Sequence, residues 1–354
     1  MKLNIAWISI VLLALLTPTL YWILSPEQRE NVRYHSWPDV LKDRYFFARE
    51  QAFTAYRPLK KALHSPVLPE RLMKGDSEFL FLGNFFSDAV LKSKGFWRLD
   101  SSQLALTRSY LEQQQRHLQK QNTEYIIAMA PNKATFYGDY LPIAPTGQLP
   151  LRGQLDSLFQ KSPIPFISLL QNRKPPKDSL LYYLYDSHWN HEGAWLAYQE
   201  LMAALRQTHP ELRVLRNEDM CRKVVMEWAP DLTELLLTNE SEKLTIIAQN
   251  KRSAYMIEDE LTVPPTYRNK NDNYERRFRN DSAQLKILVL HDSFFNAMLR
   301  WFAESFNETV YVWSYSLDTA LIARENPDIV LHFMVERNAD RLYNQALKKM
   351  EAKK

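Results

Sequence analysis

The sequence predicts an α/β layer fold with a mostly parallel central sheet, and three observations carry that expectation. Short apolar runs of β-forming residues alternate with longer amphipathic segments through most of the chain. A hydrophobic content of 45% in 354 residues supplies a substantial core. No internal repeat or low-complexity tract points to a solenoid or a disordered chain.

The chain opens on an apolar, uncharged run at residues 5–24, preceded by Lys2 and followed by a polar stretch. Roughly 20 such residues cross a bilayer as a helix. Because no small-x-small cleavage site lies near Leu24, the run reads as an uncleaved signal anchor, with a buried core helix as the alternative. Lys2 favours a cytoplasmic start, while Arg29 and Arg33 lie close on the other side. Residues 25–73 are polar, rich in aromatic and basic residues, and helically patterned over 37–63; they read as a juxtamembrane stalk. A single domain is expected over 74–354.

Within that domain the strand candidates are residues 124–130, 164–170, 180–185, 285–290, 310–313 and 329–333. Helices are expected over 102–121, where Leu104, Leu106, Tyr110, Leu111 and Leu118 form an apolar stripe, and over 191–207 and 294–306. Residues 221–280 suggest hairpins, from the alternation at 244–248, and a long polar loop around Pro264 and Pro265.

Composition also excludes function classes. A net charge of +4 is far from the strongly basic balance of a nucleic-acid binder. One cysteine, Cys221, allows neither an intramolecular disulfide nor a thiolate-rich metal site. Among seven glycines no phosphate-binding loop pattern occurs, so no cofactor is expected.

Two strand ends carry chemistry. Asp186-Ser-His188-Trp-Asn-His-Glu-Gly193 sets a carboxylate and an imidazole two residues apart, on one side of an extended segment. Asp186 can then hold one ring nitrogen and leave the other as a base for a serine. The same pair also suits a metal, or a structural hydrogen bond at a helix start. About a hundred residues later, the apolar strand 285–290 runs through His291 into Asp292-Ser293-Phe-Phe and a helix. A serine there stands at the C-terminal edge of the sheet, beside backbone N–H groups able to hold an oxyanion. The plainer alternative makes Asp292 or Ser293 an N-cap only.

Taken with Ala130-Pro-Asn-Lys133, Tyr140-Leu-Pro142, Asn326-Pro-Asp328 and Glu336-Arg337, these blocks resemble the SGNH hydrolase-like domain of the alginate O-acetyltransferase family of AlgX and AlgJ. The resemblance spans about residue 75 to the C-terminus and includes the chain order, acid and histidine before serine. It implies a three-layer SGNH hydrolase-like fold, with Ser293 as nucleophile, His188 as general base and then acid, and Asp186 orienting His188. It also implies acetyl transfer through a seryl ester onto an extracytoplasmic polysaccharide, and a membrane-bound O-acyltransferase partner as acetyl donor. The catalytic domain is then expected on the periplasmic face of the inner membrane, held through residues 5–24. His291 departs from the glycine that many nucleophile motifs carry. With no carbohydrate-binding module following, the chain looks closer to AlgJ than to AlgX. Two rivals remain open: an acetyl-esterase with the same triad, and a silent glycan-binding scaffold of an export complex.

Other residues have two readings each. Asn132 and Lys133, after a strand end, suit oxyanion or substrate contacts, or a solvated loop. Trp189 suits a sugar platform, or packing beneath its loop. Asp292 is a further substrate-contact candidate besides its capping role. Arg268, Lys270, Arg276, Arg277 and Arg279, interleaved with Tyr267, Tyr274 and Phe278, suit an anionic glycan or a solvated face. His191 is a remote candidate for completing a metal site, and no metal is expected.

Overall fold

The computed structural model describes residues 71–352, apart from 177–178, 228–229, 237–240 and 258–274. The anchor at 5–24, most of the stalk, Pro264, Pro265, Tyr267, Arg268, Lys270 and Tyr274 lie outside the described residues. Among the described residues no helix is long and apolar enough to cross a membrane.

The described chain opens with a small antiparallel pair, β1 (Leu72–Lys74) and β2 (Leu80–Leu82). Helices α1 (Ala89–Lys94) and α2 (Ser101–Gln119) lead into β3 (Glu124–Ala130). Asp100 starts α2 by a reciprocal capping box with Gln103. Next come the short α3 (Lys133–Phe136), α4 (Leu151–Phe159), β4 (Phe166–Ser168) and α5 (His191–Leu205). An excursion follows, made of β5 (Met220–Glu227), α6 (Asp231–Leu236) and β6 (Glu242–Gln249), with β5 and β6 paired antiparallel. The chain then forms β7 (Tyr255–Met256), β8 (Glu275–Arg279), β9 (Lys286–His291), α7 (Leu299–Ala303), β10 (Glu308–Trp313), α8 (Thr319–Glu325), β11 (Ile329–Val335) and α9 (Arg341–Glu351).

The central sheet has seven strands in the order β4-β3-β11-β9-β10-β8-β7. The five from β4 to β10 are parallel, and β8 and β7 extend them antiparallel, so the sheet is mixed. Side chains alternate between two buried layers, as the two-residue period of a strand requires. Ile126, Ala128, Leu331 and Phe333 join α5 and the aromatic cluster of Phe294, Phe295 and Trp301. Tyr125, Ile127, Leu288 and Val330 face the other way, toward Leu111, Leu155, Leu321 and Leu342 of α2, α4, α8 and α9. Layers of helices thus cover both faces.

Four strand expectations hold with small shifts at their ends, and that for 124–130 matches β3 residue for residue. The strand expected at 180–185 does not form. Only an isolated bridge between Tyr182 and Trp189 remains, because the backbone groups of this segment are taken by side chains and by the excursion. The helix expected at 294–306 is a 3₁₀ helix, Ser293–Met298, followed by α7. In the basic stretch, Arg277 is 4% exposed in β8 and pairs with Glu308 and with Glu325 (2.9 Å), so it belongs to a buried ion cluster and not to a solvated face.

Candidate active site

Three strands end at the same edge of the sheet. β9 delivers Asp292 and Ser293, β11 delivers Glu336 and Arg337, and β3 delivers Asn132 and Lys133. Asp292 is 1% exposed and ties two of these ends together. Its Oδ1 accepts from the Phe294 N–H (3.1 Å), while Oδ2 accepts from the Val335 N–H (2.8 Å) and from Asn338 Nδ2 (3.2 Å). Asp292 is therefore an N-cap and a strand tie, turned inward. Beside it the His291 ring, 1% exposed, donates from Nδ1 to the Asp292 carbonyl (2.9 Å). Burial pushes its pKa down to about 4, so it is neutral at ordinary pH. Its bulk is housed by Phe295, Tyr311 and Trp313.

The Asp186–His188 segment reaches the same edge as an irregular loop. His188 Nδ1 lies 2.7 Å from Asp186 Oδ1, and His188 Nε2 lies 2.7 Å from Ser293 Oγ. The carboxylate can only accept from Nδ1, which fixes the tautomer and leaves Nε2 to accept from the seryl hydroxyl. The His188 N–H also donates to Asp186 Oδ1 (2.8 Å), closing a tight local turn. Behind the motif, Asn190 caps α5 by accepting from the Gly193 N–H (3.0 Å). Gly193 is required here by close approach, because a Cβ would sit 2.2 Å from the Leu181 carbonyl oxygen.

Charges shape this chain of groups. Burial acts against the imidazolium, yet the hydrogen bond and charge of Asp186, helped by Asp231, outweigh it and raise the His188 pKa above 6.5, with Arg337 opposing. Burial likewise works against the Asp186 carboxylate, but His188 and the Asp231 and His188 amides overcome it and hold its pKa at about 2.

The structure brings Asp186, His188 and Ser293 into one hydrogen-bonded line and places the other candidates around it. Trp189 is 2% exposed and donates to the Phe294 carbonyl (2.9 Å), so it packs beneath the loop and offers no platform. Asn132, 3% exposed, accepts from Arg337 Nη1 (3.0 Å) and donates to the Ala89 carbonyl (3.2 Å), which makes it a support for Arg337. Lys133, also 3% exposed, is neither solvated nor presented to a ligand. Its ammonium donates to the carbonyls of Leu80 (2.6 Å), Leu184 (2.7 Å) and Asp186 (3.0 Å). Burial pulls its pKa down to about 7, against the charges of Glu242, Asp186 and Asp231. His191 accepts from the Ile247 N–H (3.3 Å) and meets Trp301 edge-on, apart from the Asp186–His188–Ser293 line.

Two acids that no sequence pattern singled out grip the loop from the excursion. Glu242 accepts from the N–H groups of Leu184 (2.8 Å) and Tyr185 (3.2 Å). Asp231 accepts from the Ser187 N–H (2.7 Å) and Oγ (2.5 Å), and its own N–H donates to Asp186 Oδ2 (2.9 Å). The Pro-Asp step at the start of an apolar run signals a helix start at Asp231, but nothing local signals its reach to Ser187. Asp186, His188 and Asp231 present potential ligand atoms within 4.8 Å of one another, yet these atoms are all engaged in the contacts just described.

Residues 84–260, half of the 354-residue chain, match the family model described as SGNH hydrolase-like domain, acetyltransferase AlgX. That span includes Asp186 and His188 and ends before Ser293. Among solved structures the chain is similar to Bacillus cereus PatB1, at 20% identity and a TM-score of 0.55, covering 75% of this chain and 96% of that one. PatB1 with a sulfonyl adduct gives 18% identity and a TM-score of 0.53, covering 77% and 99%. A DHHW family protein from Eubacterium siraeum gives 13% identity and a TM-score of 0.50, covering 77% and 94%. At these identities the likeness establishes the fold. No curated protein matches the sequence.

Proposed function

We propose, from the premise that this chain belongs to the AlgX family of SGNH hydrolase-like domains, that it is an O-acetyltransferase working through an acetylated Ser293. The single observation that carries this reading is the unbroken line Asp186 Oδ1, His188 Nδ1, His188 Nε2, Ser293 Oγ, with 2.7 Å at each hydrogen bond. Such a line activates a hydroxyl that is inert by itself.

In the first half-reaction His188 Nε2 takes the Ser293 proton as Oγ attacks the acetyl carbonyl. The developing oxyanion lies near the Ser293 N–H, which opens the 3₁₀ helix and so has no acceptor within it. Collapse breaks the bond to the leaving group, which departs with the proton from His188. In the second half an acceptor hydroxyl gives its proton to His188, attacks the seryl ester and leaves acetylated, and Ser293 recovers its proton. No cofactor enters either half. The proposed acceptor is an exported polysaccharide of the alginate kind, and the proposed donor partner is a membrane-bound O-acyltransferase that passes acetyl groups across the membrane. The apolar run at 5–24 would hold the domain beside that partner, on the periplasmic face of the inner membrane. Protease applied to intact spheroplasts should then digest the domain; resistance until the membrane is breached would overturn this topology.

The test of the chemistry is an acetyl-ester assay of the full chain with and without uronate oligosaccharides. Acetyl diverted from water to sugar is expected. Hydrolysis unaffected by every acceptor would favour an acetyl-esterase, and failure of a sulfonyl fluoride to label Ser293 would favour a silent scaffold.

A further inference from the structure

Most serine triads end at one carboxylate. Here the base is flanked by two, from segments far apart in the chain, and the second is built in with unusual completeness. Asp231 opens α6 and stands beside Asp186. Both of its carboxylate oxygens accept from Ser187, one from the N–H at 2.7 Å and the other from Oγ at 2.5 Å. Using both oxygens as acceptors is what an ionised carboxylate does. Its backbone N–H fills the one Asp186 oxygen that does not face His188 (2.9 Å). The same Asp231 Oδ2 lies 3.6 Å from His188 Nδ1, too long for a hydrogen bond but well within the reach of a charge.

Resting on the triad reading above, we propose that Asp231 is a positioning residue for the acyl transfer, locking Asp186 and Ser187 in place and adding a second negative charge behind the imidazolium of His188. The lock acts on the two residues that precede the base, so it sets the direction of Nε2 toward Ser293. The charge acts when His188 holds the seryl proton, which is the moment the oxyanion forms, so it lowers the barrier where the barrier is highest.

The charges facing this group come from several elements. Asp186 shares the loop, Arg337 from the end of β11 opposes protonation of His188, and Lys133 and Glu242 act on Asp186 from behind. Burial first, and then the charge of Asp186, raise the Asp231 pKa, while His188 and the Ser187 donors lower it. With Lys133 and Arg337 unchanged, deleting the Asp231 charge leaves His188 with one carboxylate in place of two.

The test compares Asp231→Asn and Asp231→Ala in the full chain, with Ser293→Ala as the reference, on a chromogenic acetyl ester from pH 5 to 9. Asn keeps the size and most of the grip on Ser187 but loses the charge. The acid limb of kcat/KM should move about one unit lower in Asp231→Asn, with a plateau kcat about tenfold below the parent. Asp231→Ala should lose a further tenfold or so, as the lock also goes. An acid limb left in place in Asp231→Asn, whatever the change in rate or melting temperature, would reduce Asp231 to ordinary scaffolding and overturn the proposal. An active Ser293→Ala would instead overturn the triad reading itself, so the two failures are distinguishable.

Discussion

The two halves of the site are held by different physics. Ser293 follows β9, a central strand whose hydrogen bonds run to β10 and β11 and whose side chains are buried on both faces. Its position is set by sheet register, which a single substitution hardly moves. The Asp186–His188 loop has almost no sheet pairing. Its N–H groups go to Glu242, Asp231 and Asp186, and its carbonyls to Lys133 and to the N–H groups of Leu80 and Leu232. Ser293 is therefore placed by the fold, whereas His188 is placed by a handful of side chains. It follows that changes remote from Ser293 should reach the chemistry mainly through the loop.

The largest effect should come from the shared point of both halves. Ser293→Ala should lower turnover by roughly 10⁴ to 10⁶ while costing about 1 kcal/mol of stability, since among the described residues its hydroxyl bonds His188 alone and the helix cap is Asp292. His188→Ala should reach the same floor, and the double variant should fall little further. Near-native turnover of Ser293→Ala on an acetyl ester would break the assignment.

Lys133→Met should separate the halves. It takes one donor from each of three carbonyls, two of them on the loop, and disturbs nothing on β9, while the Leu184 carbonyl keeps the Leu80 N–H. Relief of the buried charge offsets part of the loss, so the expected destabilisation is about 1–3 kcal/mol, with kcat lower on the order of 10²-fold from misplacement of His188. If denaturant melts show that cost while kcat is unchanged, the loop does not depend on this ammonium and the contrast is overdrawn.

A smaller effect should appear with pH. His188 must be neutral to act as base, and its pKa is raised, so kcat/KM should climb tenfold per unit and level off only above pH 6.5. Stability moves the opposite way for this residue: the His188–Asp186 contribution is complete below 6.5 and is lost as pH rises through the higher folded value. For Asp186, held at about 2 against an ordinary 3.8, the contribution is present above 3.8 and is lost as pH falls toward 2. Melting curves of the parent at pH 5 and pH 8, set against His188→Gln, would register the His188 part; an acid limb below 6.5 would contradict the two-carboxylate environment.

The smallest expected effect is none. Chelator should leave activity intact, because the ligand-capable atoms of Asp186, His188 and Asp231 are engaged with one another, with Ser187 and with Ser293. Loss with EDTA and recovery with zinc would replace the triad by a metal site.

Sequence by itself determined the elements whose signal is local. An apolar run of a few β-forming residues buries both faces of a parallel strand wherever it lies, so β3, β9, β10 and β11 were legible, and so were α2 and α5, though not the Asp100 and Asn190 side chains that cap them. Asp186 and His188 were legible as a pair because two residues of spacing constrain their geometry, and Ser293 because a strand that turns into a helix exposes the residue at the turn. Only the tertiary structure decided how the pieces meet. It turned the expected strand at 180–185 into a loop, since its backbone partners come from Glu242, Leu232 and Lys133, far away in sequence. It added β8 and β7 antiparallel, buried Trp189, Asn132, Lys133 and Asp292, and drew Asp231 to Ser187. The physical reason is that a side chain satisfying a distant backbone group obeys no period and no spacing rule; it is fixed by where the fold brings an unpaired N–H or carbonyl, and nothing in the neighbouring residues records that.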